Sequence, residues 1–132
     1  MSYMTVEALL AKDYLEEKGI SIELIDLRSI KPLDLNTIIT SLKKTGKILV
    51  LDTGALTCSV ASDIISKITS RYFSLLKKAP SVITMPDMPE PTSFGLTENF
   101  YPGAAEIANE ILRMLEIKEF NPLLDLKRKD KH

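Results

Sequence analysis

Three carboxylates are the first candidates for chemistry. Asp26, Asp52 and Asp87 each stand at or just past the end of a short apolar run: Ile20 to Leu27, Ile48 to Leu51, and Val82 to Met85. If those runs are strands of one open parallel sheet, their carboxyl ends share the edge where ligands bind. Three carboxylates there would be a donor set for magnesium or a phosphoryl acceptor. A plainer reason also puts aspartate at strand ends, because its side chain caps turns and tolerates awkward backbone angles. A phosphoryl-acceptor site further wants an adjacent acidic pair on its first strand and a lysine at a later strand end. Asp26 instead stands alone between Ile25 and Leu27, and Met85 is followed by Pro86. The pattern favours capping.

The other reactive residues are sparse. The only histidine is His132, the last residue, so no histidine-based nucleophile, zinc site or general base can be built. Cys58 follows Thr57 near an expected helix start, where the helix dipole would lower a thiol pKa. Without a histidine to assist it, a buried or incidental cysteine is the better reading. The five glycines, Gly19, Gly46, Gly54, Gly95 and Gly103, are dispersed and form no phosphate-cradling loop. The residues thus predict no catalytic, cofactor-binding or metal-binding constellation in this chain.

The elements that position these side chains follow from periodicity. Val6, Leu9, Leu10 and Tyr14 recur at helical spacing, with Ser2 or Thr5 able to cap the start and Gly19 to stop the helix, which predicts a helix from about Thr5 to Lys18. Ile20 to Leu27 is too short for a buried helix and rich in isoleucine and leucine, so it is expected as a strand. Asp34 can cap a helix that carries Leu35, Ile38, Ile39 and Leu42 and ends at Gly46. Ile48 to Leu51 does not alternate, as expected of a strand covered on both faces. A long helix from about Thr57 to Lys77, a strand Val82 to Met85 and a helix starting near Pro102 or Gly103 complete the series. Between the last two lies Pro86 to Pro102, whose four prolines and Gly95 exclude a helix or a central strand. An ordered loop of that length usually has a task. Alternating helices and strands select a parallel sheet with helices on both faces.

Composition bounds the function classes. At 132 residues, 45% hydrophobic and 27% charged, the chain has the length and balance of one globular domain with one core. Its 17 basic and 18 acidic side chains give a net charge of −1, which leaves no field to draw in nucleic acid or an anionic membrane. The one basic cluster, Lys127 to Lys131, belongs to a segment 119–132 expected as a polar C-terminal tail, after a domain spanning residues 1–118. One cysteine excludes an internal disulfide framework, and neither a signal peptide nor a run of ~18 apolar residues is seen. The cytoplasm or an organelle matrix is the expected compartment.

The stretch Gly19-Ile-Ser-Ile-Glu-Leu-Ile-Asp-Leu-Arg-Ser-Ile-Lys-Pro-Leu-Asp34 resembles a segment of the transketolase C-terminal domain family. Within it the likeness is greatest to the β subunit of the thiamine-diphosphate-dependent decarboxylase in pyruvate and branched-chain 2-oxoacid dehydrogenase complexes. Ser41-Leu-Lys-Lys-Thr-Gly-Lys-Ile-Leu-Val-Leu-Asp52 and Pro86-Asp-Met-Pro-Glu-Pro91 match the same family in order and spacing, so the likeness spans Tyr3 to about Leu115. Asp26-Leu-Arg-Ser-Ile-Lys-Pro-Leu-Asp34 is its specific part.

The resemblance implies a three-layer α/β/α domain with a mostly parallel sheet that forms part of a subunit interface. It implies that thiamine diphosphate and magnesium are held by other domains of a parent enzyme, so this chain alone binds no cofactor and catalyses nothing. It also implies structural roles for Asp26, Arg28, Pro32 and Asp34 in a strand-to-helix connection. The Gly54 to Asp63 segment and the proline loop, with Phe94, Phe100 and Tyr101 as aromatic anchors, are then the parts that meet partners. Those partners are an α subunit or the cofactor-binding domains, and a lipoyl acyltransferase core. In two respects the sequence departs from the family. Thr57-Cys-Ser-Val-Ala61 lacks the glycines of the family's turn, and the family's first, central strand has no counterpart before Ser2. A sheet lacking that strand has open edges, which predicts self-association as a dimer. Two other expectations stand beside this one: the related domain of a transketolase or a pyruvate-ferredoxin-oxidoreductase-like enzyme, and, from a different class, a magnesium-binding, receiver-like signalling module using Asp26, Asp52 and Asp87.

Overall fold

A computed structural model describes residues 3–89, 92–93 and 101–127. In chain order the elements are α1 (Tyr3–Glu17), α2 (Leu35–Thr45), β1 (Leu49–Ala55), α3 (Val60–Arg71), a 3-10 turn (Phe73–Leu75), β2 (Ser81–Met85), α4 (Ala104–Met114) and α5 (Pro122–Lys127). Helices with a small parallel sheet make this an α/β fold, and the chain divides into two compact units.

The first unit runs from Ile25 to Tyr101 and holds α2, β1, α3 and β2. Asp34 caps α2, accepting the Thr37 N–H at 3.1 Å and the Thr37 hydroxyl at 2.6 Å. At the other end Gly46 takes φ 70°, a left-handed turn that an L side chain resists, and its N–H returns to the Leu42 carbonyl. β1 and β2 pair in parallel, Leu49 with Ser81, Val50 with Val82 and Leu51 with Ile83, and the register then breaks between Leu51 and Ala55. Ile38 and Leu42 of α2 and Ile64 and Ile68 of α3 form the buried cluster, with Ile25, Leu27, Ile48 and Val50 packed against it.

The second unit joins Ser2–Leu24 to Pro102–His132 and holds α1, α4 and α5. Its core is built from Met4, Ala8, Ala11 and Leu15 of α1 with Ala105, Ile107, Ala108 and Leu112 of α4. Alanines on both helices let the backbones approach. The inward face of α1 is therefore the alanine face, and Val6, Leu9 and Leu10 stay exposed. Gly19 (φ 79°) ends α1 as expected: its N–H bonds to the Glu16 carbonyl at 3.0 Å and that of Ile20 to Leu15 at 2.9 Å.

Two expectations are corrected. Ile20 to Leu27 forms no strand, so the described residues hold a two-stranded sheet where three strands are expected. A strand exists only through a ladder partner, and here the segment buries its apolar side chains partway with no strand pairing among the described residues. The helix expected over Thr57 to Lys77 is shorter, because Cys58 lies at φ 56°, outside the helical region, and the backbone leaves the helix again at Tyr72. Of the expected tail, residues 119–127 are described. Pro122 is buried, Asn121 caps α5 through the Leu124 N–H at 3.2 Å, and the Tyr14 hydroxyl donates to Asp125 at 2.7 Å.

Candidate functional site

The strand ends of the first unit converge on the turn that leads from β1 into α3. Asp52 reaches across that turn, its Oδ1 accepting the Gly54 N–H at 2.9 Å and its Oδ2 the Ala61 N–H at 3.1 Å. Asp87, just beyond β2, accepts from Thr57, at 2.7 Å from the hydroxyl and 3.4 Å from the backbone N–H. Ser59 then caps α3, accepting the Ser62 N–H at 3.0 Å, and the Ser62 hydroxyl donates to the Leu56 carbonyl at 2.8 Å. Two strand-end carboxylates thus latch one loop.

This arrangement holds backbone in place. Asp52 and Asp87 each direct both carboxylate oxygens at N–H or O–H donors, the capping role that turn chemistry predicts. Among the described residues no three His, Cys, Asp or Glu side chains are grouped to hold a metal ion. The magnesium-binding reading of Asp26, Asp52 and Asp87 is corrected accordingly. Cys58 sits at the apex of the same loop and is exposed, not buried.

The structure separates the other residues singled out in the sequence. Asp26, Arg28 and Pro32 are exposed, and Pro32 follows a cis peptide in the turn closed by the Ile30–Leu33 bridge. Asp34 caps α2, and the side-chain bond to Thr37, then the backbone bond, holds its carboxyl below the usual carboxylate range. Gly54 is exposed beside Asp52, and a Cβ there would sit 3.5 Å from Asp52 Oδ1. Tyr101 is exposed, while Phe94 and Phe100 lie outside the described residues.

Beside the latched loop runs an open groove of about 570 Å³ between α3 and β2. Leu56, Ile65, Pro80 and Val82 supply its apolar lining, and Ser62 and Ser66 its hydroxyls.

The second unit has a corresponding device that sequence reasoning missed. At the start of α4 the Gly103 N–H donates to Glu106 Oε2 at 2.9 Å, and the Ala104 N–H donates to Glu7 Oε2 at 2.7 Å. A Cβ on Gly103 would lie 3.3 Å from the first carboxylate and 3.4 Å from the second, so both acids crowd the position that glycine leaves open. Glu106, three residues after Gly103, is a legible half of a capping box. Glu7 comes from 97 residues away and carries no local signal.

The model of the family "Transketolase, C-terminal domain" matches residues 1–107. The acetoin:2,6-dichlorophenolindophenol oxidoreductase subunit beta of Cupriavidus necator is 35% identical over 105 residues, covering 80% of this chain and 31% of the relative. The pyruvate dehydrogenase E1 component subunit beta of Mycoplasma pneumoniae is 41% identical over 101 residues, covering 75% and 30%. The 2-oxoisovalerate dehydrogenase subunit beta of Pseudomonas aeruginosa is 32% identical over 102 residues, covering 77% and 29%. The chain therefore spans about a third of the length of these relatives. They are dehydrogenase and oxidoreductase β subunits, which does not agree with the alternative expectation of a transketolase or pyruvate-ferredoxin-oxidoreductase-like enzyme.

Proposed function

The chain belongs to the transketolase C-terminal domain family, and on that footing we propose that it is the C-terminal assembly domain of a 2-oxoacid dehydrogenase-type β subunit. The carrying observation is the run of β-subunit relatives at 32 to 41% identity, which align along most of this chain and about a third of their own length. In this reading the chemistry belongs to other domains. A magnesium-bound diphosphate needs several free oxygen donors. Here Asp52 and Asp87 are already committed to the loop, and no donor set is grouped among the described residues, so these residues do not fit that group.

The domain's task is then to present surfaces. The Gly54 to Asp63 segment, with Leu56 45% exposed, and the loop carrying Met88, 59% exposed, and Tyr101 are the faces offered to an α subunit or to cofactor-binding domains. A lipoyl acyltransferase core is the further partner of such an assembly. A sheet of only two described strands supports self-association as a dimer, since two strands leave both outer edges open. No described helix is long and apolar enough to cross a membrane, and the cytoplasm is the proposed compartment.

The test adds the chain to the cofactor-binding domains of such a β subunit with its α subunit. Thiamine-diphosphate-dependent decarboxylation of a 2-oxoacid should appear only in the mixture. Turnover by the chain alone would sink the assignment. The acetoin oxidoreductase subunits of Cupriavidus necator and Bacillus subtilis among the relatives favour a second substrate class. Running the mixture with acetoin and with pyruvate separates the two.

A further inference from the structure

We propose that the outer edge of β2 is the docking surface for a second copy of this chain, the two β2 strands pairing antiparallel about a two-fold axis at Ile83. The proposal deepens the dimer reading above by committing it to one edge of the sheet.

The backbone bonding fixes what that edge presents. The Ser81 N–H bonds to the Ile48 carbonyl at 3.1 Å, and the register runs Leu49 with Ser81, Val50 with Val82 and Leu51 with Ile83. Ser81 and Ile83 therefore turn their N–H and C=O toward β1. Alternation along a strand turns those of Val82 and Thr84 the other way, and among the described residues β2 has no other strand neighbour. Two N–H and two C=O groups are left on one line.

That line is self-complementary. Antiparallel pairing centred on Ile83 sets Val82 opposite Thr84 of the second copy, and each such pair exchanges two hydrogen bonds. The two-fold doubles this to four bonds from one pair of identical strands, the isologous contact a closed dimer requires. The groove lined by Leu56, Ile65, Pro80 and Val82 runs beside the same edge and gives the incoming strand an apolar seat.

β2, rather than β1, is the edge built for this. Natural edges are blunted by charge, proline or irregular register. β1 has Asp52 within it and a register break between Leu51 and Ala55. β2 reads Ser-Val-Ile-Thr-Met, with no charge or proline inside the strand and a regular register from Ser81 to Ile83.

The experiment uses the full chain in a Cys58→Ser background. Ile83 would meet its own copy across the axis with Cα atoms about 4.5 Å apart, within disulfide range. Mild oxidation should convert the Ile83→Cys variant to a covalent dimer and leave Val82→Cys, which faces Thr84 of the second copy, largely monomeric. Thr84→Pro removes an outward N–H without touching the β1 ladder, so it should raise the dimer dissociation constant about tenfold or more in sedimentation equilibrium. Equal cross-linking of the two cysteine variants, or an unchanged dimer in Thr84→Pro, would overturn the proposal. A wild-type chain that stays monomeric at every concentration would do the same. If Thr84→Pro does not fold, the cysteine pair decides alone. None of these readouts depends on activity, so a chain that restores decarboxylation yet fails to cross-link keeps its family role and loses this surface.

Discussion

The two units of this chain bury apolar residues by different means, the helical one between helices that close their own hydrogen bonds, the sheet one beside strands whose outer edges have no described strand neighbour. In the helical unit Ala11, Leu15 and Ala108 are fully buried, and Ile107 and Leu112 keep 2% exposure. Among the described strand residues of the sheet unit only Met85 is buried, although both strands are largely apolar. A helix closes its hydrogen bonds on itself, so a helical unit needs only side-chain packing. A strand leaves half its backbone to a neighbour, and the two described strands pair with each other while no further described strand takes their outer edges. On the proposed reading, assembly falls to the sheet unit.

The largest expected effect tests that contrast directly. Leu15→Ala, in the helical unit, should cost about 2–5 kcal/mol of stability, the usual loss for a buried leucine. Val82→Ala, on the half-exposed β2, should cost about 1 kcal/mol or less, since little is removed from burial. Urea denaturation of both variants at a concentration where the chain is monomeric checks this. Equal losses would erase the distinction between the units.

Tyr14→Phe comes next, at about 1 kcal/mol for a lost hydrogen bond to Asp125. Burial first, and then that bond, push the Tyr14 phenol up to about 12. A phenol whose folded value lies above its ordinary 10 stabilises fully below pH 10, and that share is lost as pH rises toward 12. Hydrogen exchange at alkaline pH should therefore loosen the helical unit of the wild type, and the Tyr14→Phe chain should lack that pH-dependent step.

Legibility in the sequence divides by the range of the cause. The α2 helix was readable end to end because its signals are local: Asp34 before it, Gly46 after it, and Ile38 and Leu42 between. The two short strands were readable from unbroken apolar runs, β1 running on past Leu51 to Ala55. Ile20 to Leu27 has the composition of a strand, yet no described strand pairs with it, and no local pattern reports that. The Glu7 cap on Ala104 is equally silent, since acceptor and donor stand 97 residues apart. α5 had a local signal, Asn121 as cap followed by Pro122, masked by the charged residues around it. At the candidate site, capping by Asp52 and Asp87 was readable from residue type, whereas the loop they share depends on a turn that only the fold reveals.

That loop supplies a smaller prediction within the sheet unit. Cys58 holds φ 56°, a conformation that costs a residue with a side chain about 1–2 kcal/mol. Glycine removes that strain and adds freedom to the unfolded chain worth about 0.5–1 kcal/mol. Cys58→Gly should therefore stabilise the sheet unit by about 0.5 kcal/mol, read from the urea midpoint. A loss of stability would show that the thiol makes a contact worth more than the strain.

The smallest effect, Asp34→Asn, is visible only against pH, and it separates the units by the end of the scale at which each weakens. Asparagine caps a helix about as well as aspartate, so the two chains should match at neutral pH. The Asp34 carboxyl, held below its ordinary value by Thr37, stabilises the fold above the usual carboxylate range. As pH falls through that range to the lowered folded value, the wild type loses this share while the asparagine chain does not. Amide exchange along Leu35–Thr45 during acid titration should then rise more in the wild type. A parallel rise in both chains would mean that the cap is held by geometry alone, with the charge contributing nothing to α2.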